Sequence, residues 1–370
     1  MAFHGNSKKN QKEHHLYATL LKFRYQPIFL FSLLLYINPA QTQSHTIYIT
    51  GNPTDTLAQP NGGVCLMGGA RENDEAMRWF LRRANGGDVL VLRASGLDGY
   101  NDYLYADLGV PVHSVETIVF RDSSASFDPS VLKKIRQAEA IWFAGGDQWN
   151  YVSFWRGTPV DSLINEGIRE RNVVIGGTSA GMAILGGFYF SAQNNTVTSE
   201  QALANPYDER VTVDSARFLE VPHLSDVVTD THYAQRNRQG RHVAFLARAL
   251  VDYGVLAKGI ACNERTAVCI DPDGLARIYG DYPAHETIAY FIQTNCELPD
   301  RQPERCEPIV PLDWNRDGHA LKVYAVKGTM EGTGSFDLKD WKTGAGGEWR
   351  HWFVKGGEWG STTGSAIRCE

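Results

Sequence analysis

The stretch Val173-Val-Ile-Gly-Gly-Thr-Ser-Ala-Gly-Met-Ala-Ile-Leu185 decides how this chain is read. Val173 to Ile175 predict a short buried strand, and Met182 to Leu185 begin a helix. Between them stands Gly177-Thr178-Ser179-Ala180-Gly181. In a strand, Gly-x-Ser-x-Gly, helix setting the serine sits on a strained turn that projects its hydroxyl from the sheet edge. The flanking glycines let strand and helix approach closely. The first N–H groups of the helix face any negative charge that develops there. Ser179 is therefore the candidate nucleophile. The bland alternative is a tight structural turn with serine as a small filler.

Upstream, the same alternation repeats. Val64–Met67, Val89–Leu92, Thr117–Phe120 and Ala140–Ala144 are apolar runs of strand length. The first ends at Gly68-Gly69 and the last at Gly145-Gly146-Asp147-Gln148. Between the first two, Met77, Phe80, Leu81 and Ala84 share one helix face. Asp128-Pro129 and Thr158-Pro159 each supply an N-cap and a proline at the first helical position. Val131, Leu132 and Ile135 follow the first cap; Val160, Leu163, Ile164 and Ile168 follow the second. The strands lack period-2 polarity, which implies burial on both faces. The fold expected is α/β, a largely parallel doubly wound sheet with helices on both faces. Sites in such sheets form at the carboxyl ends of strands, where both Gly-rich turns lie.

The flanks read differently. Residues 45–62 are polar apart from Thr46–Ile49 and predict a mobile lead-in. Past residue 255, Thr266–Ile270 and Ala276–Tyr279 flank the turn Asp271-Pro-Asp-Gly274 and predict a hairpin. Residues 295–318 are polar and predict loop. Residues 320–370, rich in Gly and Trp, predict a small β-rich C-terminal extension. The expected organisation is a signal segment with a long leading region over 1–43, a catalytic α/β domain over 44–295, and the loop and extension over 296–370.

A serine hydroxyl needs a base to act as a nucleophile at neutral pH. Of the histidines, His232 stands out by its company, Asp230-Thr-His232-Tyr-Ala-Gln-Arg236-Asn-Arg238-Gln-Gly-Arg241. Three arginines lie just before the helix His242–Tyr253. Cations at a helix N-terminus are disfavoured unless an anion compensates, which predicts a bound carboxylate.

The 370 residues are 43% hydrophobic and 21% charged, with a formal net charge of -6. That composition is globular, and the charge gives no basic excess to draw nucleic acid. Lys22 and Arg24 precede the apolar run Pro27–Ile37, followed by small and polar residues 38–44. That order is a secretory signal, with cleavage near Ala40 or Thr42; an uncleaved anchor is the alternative. The expected location is secreted or periplasmic, where disulfides form. Of six cysteines, Cys296 and Cys306 flank a polar loop and are the best candidate pair. Cys65 reads as a buried thiol. No Cys/His spacing suggests a metal site, and no cofactor is implied. Asn194-Asn-Thr196 is a glycosylation sequon.

Four segments carry a resemblance. Gly145-Gly-Asp-Gln148, Gly177–Gly181, Asp230-x-His232-(x)3-Arg236-x-Arg238-x-x-Arg241 and Asn263-Glu-Arg-Thr-Ala267 together resemble the cyanophycinase and aspartyl-dipeptidase family of serine peptidases, over roughly residues 62–292. The resemblance implies a fold like that of class I glutamine amidotransferases and a possible homodimer. It implies Ser179 as nucleophile, His232 as general base and acid, and Glu264 as the group that orients His232. Gly146 and Ala180 would donate N–H groups to the oxyanion. Gln148, Asp230, Arg236, Arg238 and Arg241 would line a pocket for aspartyl-rich peptide or cyanophycin-like polymer, since guanidinium binds carboxylate in bidentate fashion. Two features depart from that branch. Thr231 stands where it usually carries glutamine, and the loop Met67–Arg71 differs. Two other readings compete: a Gly-x-Ser-x-Gly esterase, whose usual order is Ser, acid, His, and an exported binding protein on the same fold.

Overall fold

The computed structural model describes residues 43–215 and 218–369. Its strands, in chain order, are β1 (His45–Gly51), β2 (Val64–Met67), β3 (Asp88–Arg93), β4 (Ser114–Phe120), β5 (Ala140–Phe143), β6 (Val174–Thr178), β7 (Tyr189–Phe190), β8 (Val213–Asp214), β9 (Val227–Asp230), β10 (Lys258–Cys262), β11 (Ala267–Ile270), β12 (Leu275–Tyr279), β13 (Ile288–Thr294), β14 (Leu321–Lys327), β15 (Gly334–Asp337), β16 (Gly344–Ala345), β17 (Gly347–Lys355) and β18 (Glu358–Thr363). The helices are α1 (Asp74–Arg83), α2 (Pro129–Gln137), α3 (Gln148–Trp155), α4 (Pro159–Arg171), α5 (Ala180–Ala183), α6 (Ser199–Ala204) and α7 (Gln239–Tyr253).

The first sheet runs β1-β4-β3-β5-β6-β2-β11-β12-β15-β16. Its centre, β4 to β2, is parallel throughout. Alternate residues of these strands feed two separate cores. Leu66, Leu90, Ile141 and Ile175 pack with residues of α2, α3 and α4. Cys65, Val91, Trp142 and Val174 pack with Met77, Phe80 and Leu81 of α1 on the opposite face. The expected α/β sheet with helices on both faces is present. The two predicted caps are present as well. Asp128 accepts from Ser130 N and Thr158 from Val160 N, each followed by its proline. The predicted hairpin is β11–β12, whose first strand pairs antiparallel with β2.

The lead-in predicted over 45–62 is in part a strand. β1 pairs antiparallel with β4 along its whole length and closes that edge of the sheet. Its residues alternate only weakly between buried and exposed, so the run is half-solvated and reads as polar.

A second sheet runs β18-β17-β14-β13-β10-β9, parallel only between β10 and β9. α7 covers one face, through Val243, Phe245 and Leu246, in a core shared with Val228, Ala261 and Trp352. From the other face Ile260, Phe291 and Tyr324 join the core of the first sheet. The residues expected as a C-terminal extension therefore supply strands to both sheets. The signal segment expected over 1–43 lies almost wholly outside the described residues. The disulfide joins Cys296 to Cys369 rather than to Cys306, which is a buried thiol. Their Cα atoms are 6.1 Å apart, inside the range a disulfide spans. The chain end returns beside the end of β13, a closeness that loop composition does not reveal.

Candidate active site

Ser179 follows the last residue of β6 and has φ 53° and ψ -118°. A non-glycine residue there is strained and persists only where its surroundings over-determine it. They do so here. Ser179 N donates to Met67 O at 3.1 Å, across the β6–β2 pair. A Cβ on Gly177 would lie 2.6 Å from the carbonyl carbon of Gly181, and one on Gly181 would collide with the Phe143 carbonyl oxygen. The turn thus has no room for a side chain at Gly177 or Gly181. The helix expected from Met182 is a single turn, α5, because Gly186 and Gly187 pack directly on the backbone of Ser225 and Val227. Its contribution is its first N–H groups rather than a long dipole.

Gly145 and Gly146 leave the adjacent strand β5. A Cβ on Gly145 would lie 3.5 Å from the Ser179 Cβ. The Tyr151 hydroxyl pins this loop, at 2.9 Å from the Ala144 carbonyl oxygen and 3.1 Å from that of Gly145.

His232 and Glu264 come from the other sheet, just beyond the carboxyl ends of β9 and β10. His232 Nε2 is 2.8 Å from Ser179 Oγ, and His232 Nδ1 is 2.7 Å from Glu264 Oε1. His232 has φ 47°, and its N–H donates to Gly68 O at 2.8 Å. Gly69 packs beneath the ring, where a Cβ would come within 2.5 Å of the imidazole. Arg265 N donates to Gly69 O at 3.0 Å, so the Gly68-Gly69 turn holds both partners. The sequence marks that turn as tight but not as the cradle of the histidine. Gln235 and Asn263 are further residues that it does not single out. Gln235 Oε1 accepts from Glu264 N at 3.0 Å. Asn263 is buried; it accepts from Ala234 N at 3.0 Å and donates to Glu286 O at 2.7 Å.

Burial pushes the His232 imidazole below its ordinary value. The hydrogen bond to Glu264 opposes this, and the charges of Arg236 and Arg238 add to the fall. At neutral pH the ring is therefore unprotonated, the state in which Nε2 can take a proton from Ser179.

The arginine cluster carries its own counter-ion. Asp230 is buried and receives Arg241 Nε at 2.9 Å and Nη2 at 2.5 Å, a bidentate pair, with Arg238 Nη1 at 3.5 Å. Burial alone would raise this carboxyl, but Arg241 and Arg238 outweigh it and hold it at about 2. The anion expected from outside is thus supplied from within, by the residue that ends β9. Arg241 is 3% exposed and lies at the floor of the cleft, with Asp230 behind it. Thr231 is also buried; its carbonyl and hydroxyl oxygens accept from Arg238 Nη1 at 2.9 and 3.2 Å. It holds an arginine in place rather than facing the cleft.

The cleft itself has a volume of about 310 Å³, lined by Gly146, Asp147, Gln148, Phe190, Arg236 and Arg238 among others. Gln148 Nε2 donates to Phe190 O at 2.9 Å, joining its two walls. Arg236 is exposed and has no carboxylate partner among the described residues.

Residues 100–278 match peptidase family S51. That span contains Ser179, His232 and Glu264. The chain is 26% identical over 227 residues to a cyanophycinase of Synechococcus elongatus, an alignment covering 59% of this chain and 66% of that protein. It is 24% identical over 227 residues to a cyanophycinase of Trichormus variabilis, covering 59% and 70%. A solved structure of a peptidase from an acI-B1 Actinobacterium is similar with a TM-score of 0.45 and 14% identity, covering 60% of this chain and 89% of its own.

Proposed function

From the kinship of residues 100–278 with peptidase family S51, we propose that this protein is an exported serine-type exopeptidase that cleaves aspartyl-containing peptides or a cyanophycin-like polymer. One observation carries the reading: the unbroken chain from Ser179 Oγ through His232 to Glu264, with both links under 3 Å. His232 takes the Ser179 proton as the oxygen attacks the scissile carbonyl. The N–H groups of Ala180 and Gly146 receive the oxyanion. His232 then protonates the leaving amine, and water hydrolyses the acyl-enzyme.

Arg236 supports a carboxylate on the substrate, because it is the cation at the cleft without a carboxylate partner among the described residues. Gln148 and Arg238 complete that wall. The Cys296–Cys369 bond supports export, since disulfides persist in oxidising compartments. The likeness to class I glutamine amidotransferases belongs to the same proposal, supported by a nucleophile turn at the end of a central parallel strand.

The test is product analysis by mass spectrometry after the protein meets cyanophycin and a panel of α- and β-aspartyl peptides, beside Ser179→Ala. Wild-type cleavage that vanishes in a folded Ser179→Ala variant is the expected result. Undiminished cleavage by that variant removes Ser179 as nucleophile. Ester hydrolysis without any peptide cleavage makes the protein an esterase.

A further inference from the structure

Cys65 of β2 and Cys269 of β11 stand directly opposite each other in antiparallel register. Both are buried in the apolar layer beneath α1, and their sulfurs are 3.8 Å apart. Neither takes part in the acyl-transfer chain. Directly opposed residues of an antiparallel pair lie about 4.5–5.5 Å apart at Cα, within the span a disulfide bridges. A sulfur–sulfur bond is ~2.05 Å long, so side-chain rotation with small strand adjustments closes the gap.

We propose that Cys65 and Cys269 form a second disulfide as the chain folds in an oxidising compartment. Its setting rests on the export reading; the pairing rests on the strand register and the sulfur separation.

The oxidant is itself a disulfide, either glutathione disulfide or that of a thiol–disulfide oxidoreductase. One cysteine, its proton lost to solvent, attacks a sulfur of the oxidant, forms a mixed disulfide and expels one thiolate. The second cysteine, likewise deprotonated, attacks the protein-side sulfur, closes the Cys65–Cys269 bond and expels the second thiolate. The protein loses two protons and two electrons, and the oxidant leaves with both electrons as two thiols. In the folded protein the pair is sealed from solvent, and burial raises the Cys269 thiol well above its ordinary value. The exchange therefore belongs to the stage before β2 and β11 close beneath α1.

The bond would join residues 204 apart in sequence and tie together the strands that serve the site. β2 runs into Met67-Gly68-Gly69, which hold Ser179 and His232 by their backbones. β11 begins three residues after Glu264.

The experiment unfolds and reduces the full chain, then refolds it in a glutathione redox buffer until Cys296–Cys369 has formed. The protein is denatured without reductant, alkylated and mapped by mass spectrometry. The expected result is alkylation of Cys262 and Cys306 only, with the Cys65 and Cys269 peptides joined. Alkylation of Cys65 and Cys269 beside a formed Cys296–Cys369 bond overturns the proposal. So does a bond from either of them to Cys262 or Cys306.

Discussion

At the scale of single residues, the site divides into groups proposed to react and groups that are neutralised internally. His232 is depressed below its ordinary value of 6.5 and must be unprotonated to act as a base. Its positive form appears only below that value, so the acid limb of kcat/KM should fall at a pH lower than 6.5. Glu264→Gln removes the negative charge that helps raise the imidazole and leaves a weaker, neutral hydrogen-bond acceptor. The limb should then move further to acid while kcat drops on the order of 10³- to 10⁴-fold; a pH–rate profile of both proteins reads this. The arginines separate in the same way. Arg241→Ala leaves the buried Asp230 carboxylate with Arg238 as its one cation, at 3.5 Å, and should cost about 3 kcal/mol of stability by denaturant unfolding. Arg236→Ala touches no internal partner; it should leave the melting temperature within about 1 °C and raise KM for aspartyl substrates. The sequence places all of these residues at one site, but it does not say which arginine is free. Asp230 opens the motif and invites reading as a ligand group, whereas its burial behind Arg241 depends on how β9 packs under α7.

At the scale of elements, local chemistry was legible wherever it was self-contained. The Asp128 and Thr158 caps, the apolar faces of α1, α2 and α4, the hairpin β11–β12 and the turn around Ser179 are set by residues within a few positions of each other. Thr158→Ala removes the side-chain acceptor for Val160 N; it should lower stability by about 1 kcal/mol in chemical denaturation, without effect on kcat. Elements that depend on distant partners were not legible. β1 is a strand because β4, more than sixty residues later, offers it an edge. β9 is four residues long and ends in Thr229-Asp230, polar residues buried by contacts from other elements. The pairing of Cys296 is of the same kind, since its partner is brought close by the fold of the C-terminal strands. Strand pairing is governed by context more than by local preference.

At the scale of the whole molecule, the described residues from Gln43 onward form one compact unit. β14 pairs with β13 over seven residues, and Trp352 of β17 stacks against Tyr233, immediately after His232. Truncation after residue 319 should therefore give no soluble folded protein, checked by size-exclusion chromatography and circular dichroism. A stable, active fragment would return the C-terminal strands to the status of an appendage. The proposed triad is divided between the two sheets: Ser179 follows β6 of the first, and His232 and Glu264 follow β9 and β10 of the second. During synthesis Ser179 emerges first and His232 follows 53 residues later, so under the proposed mechanism neither sheet alone has the means of acyl transfer. A peptidase of the proposed kind, built this way, is silent until its two sheets have docked, so a nascent chain does not cleave itself.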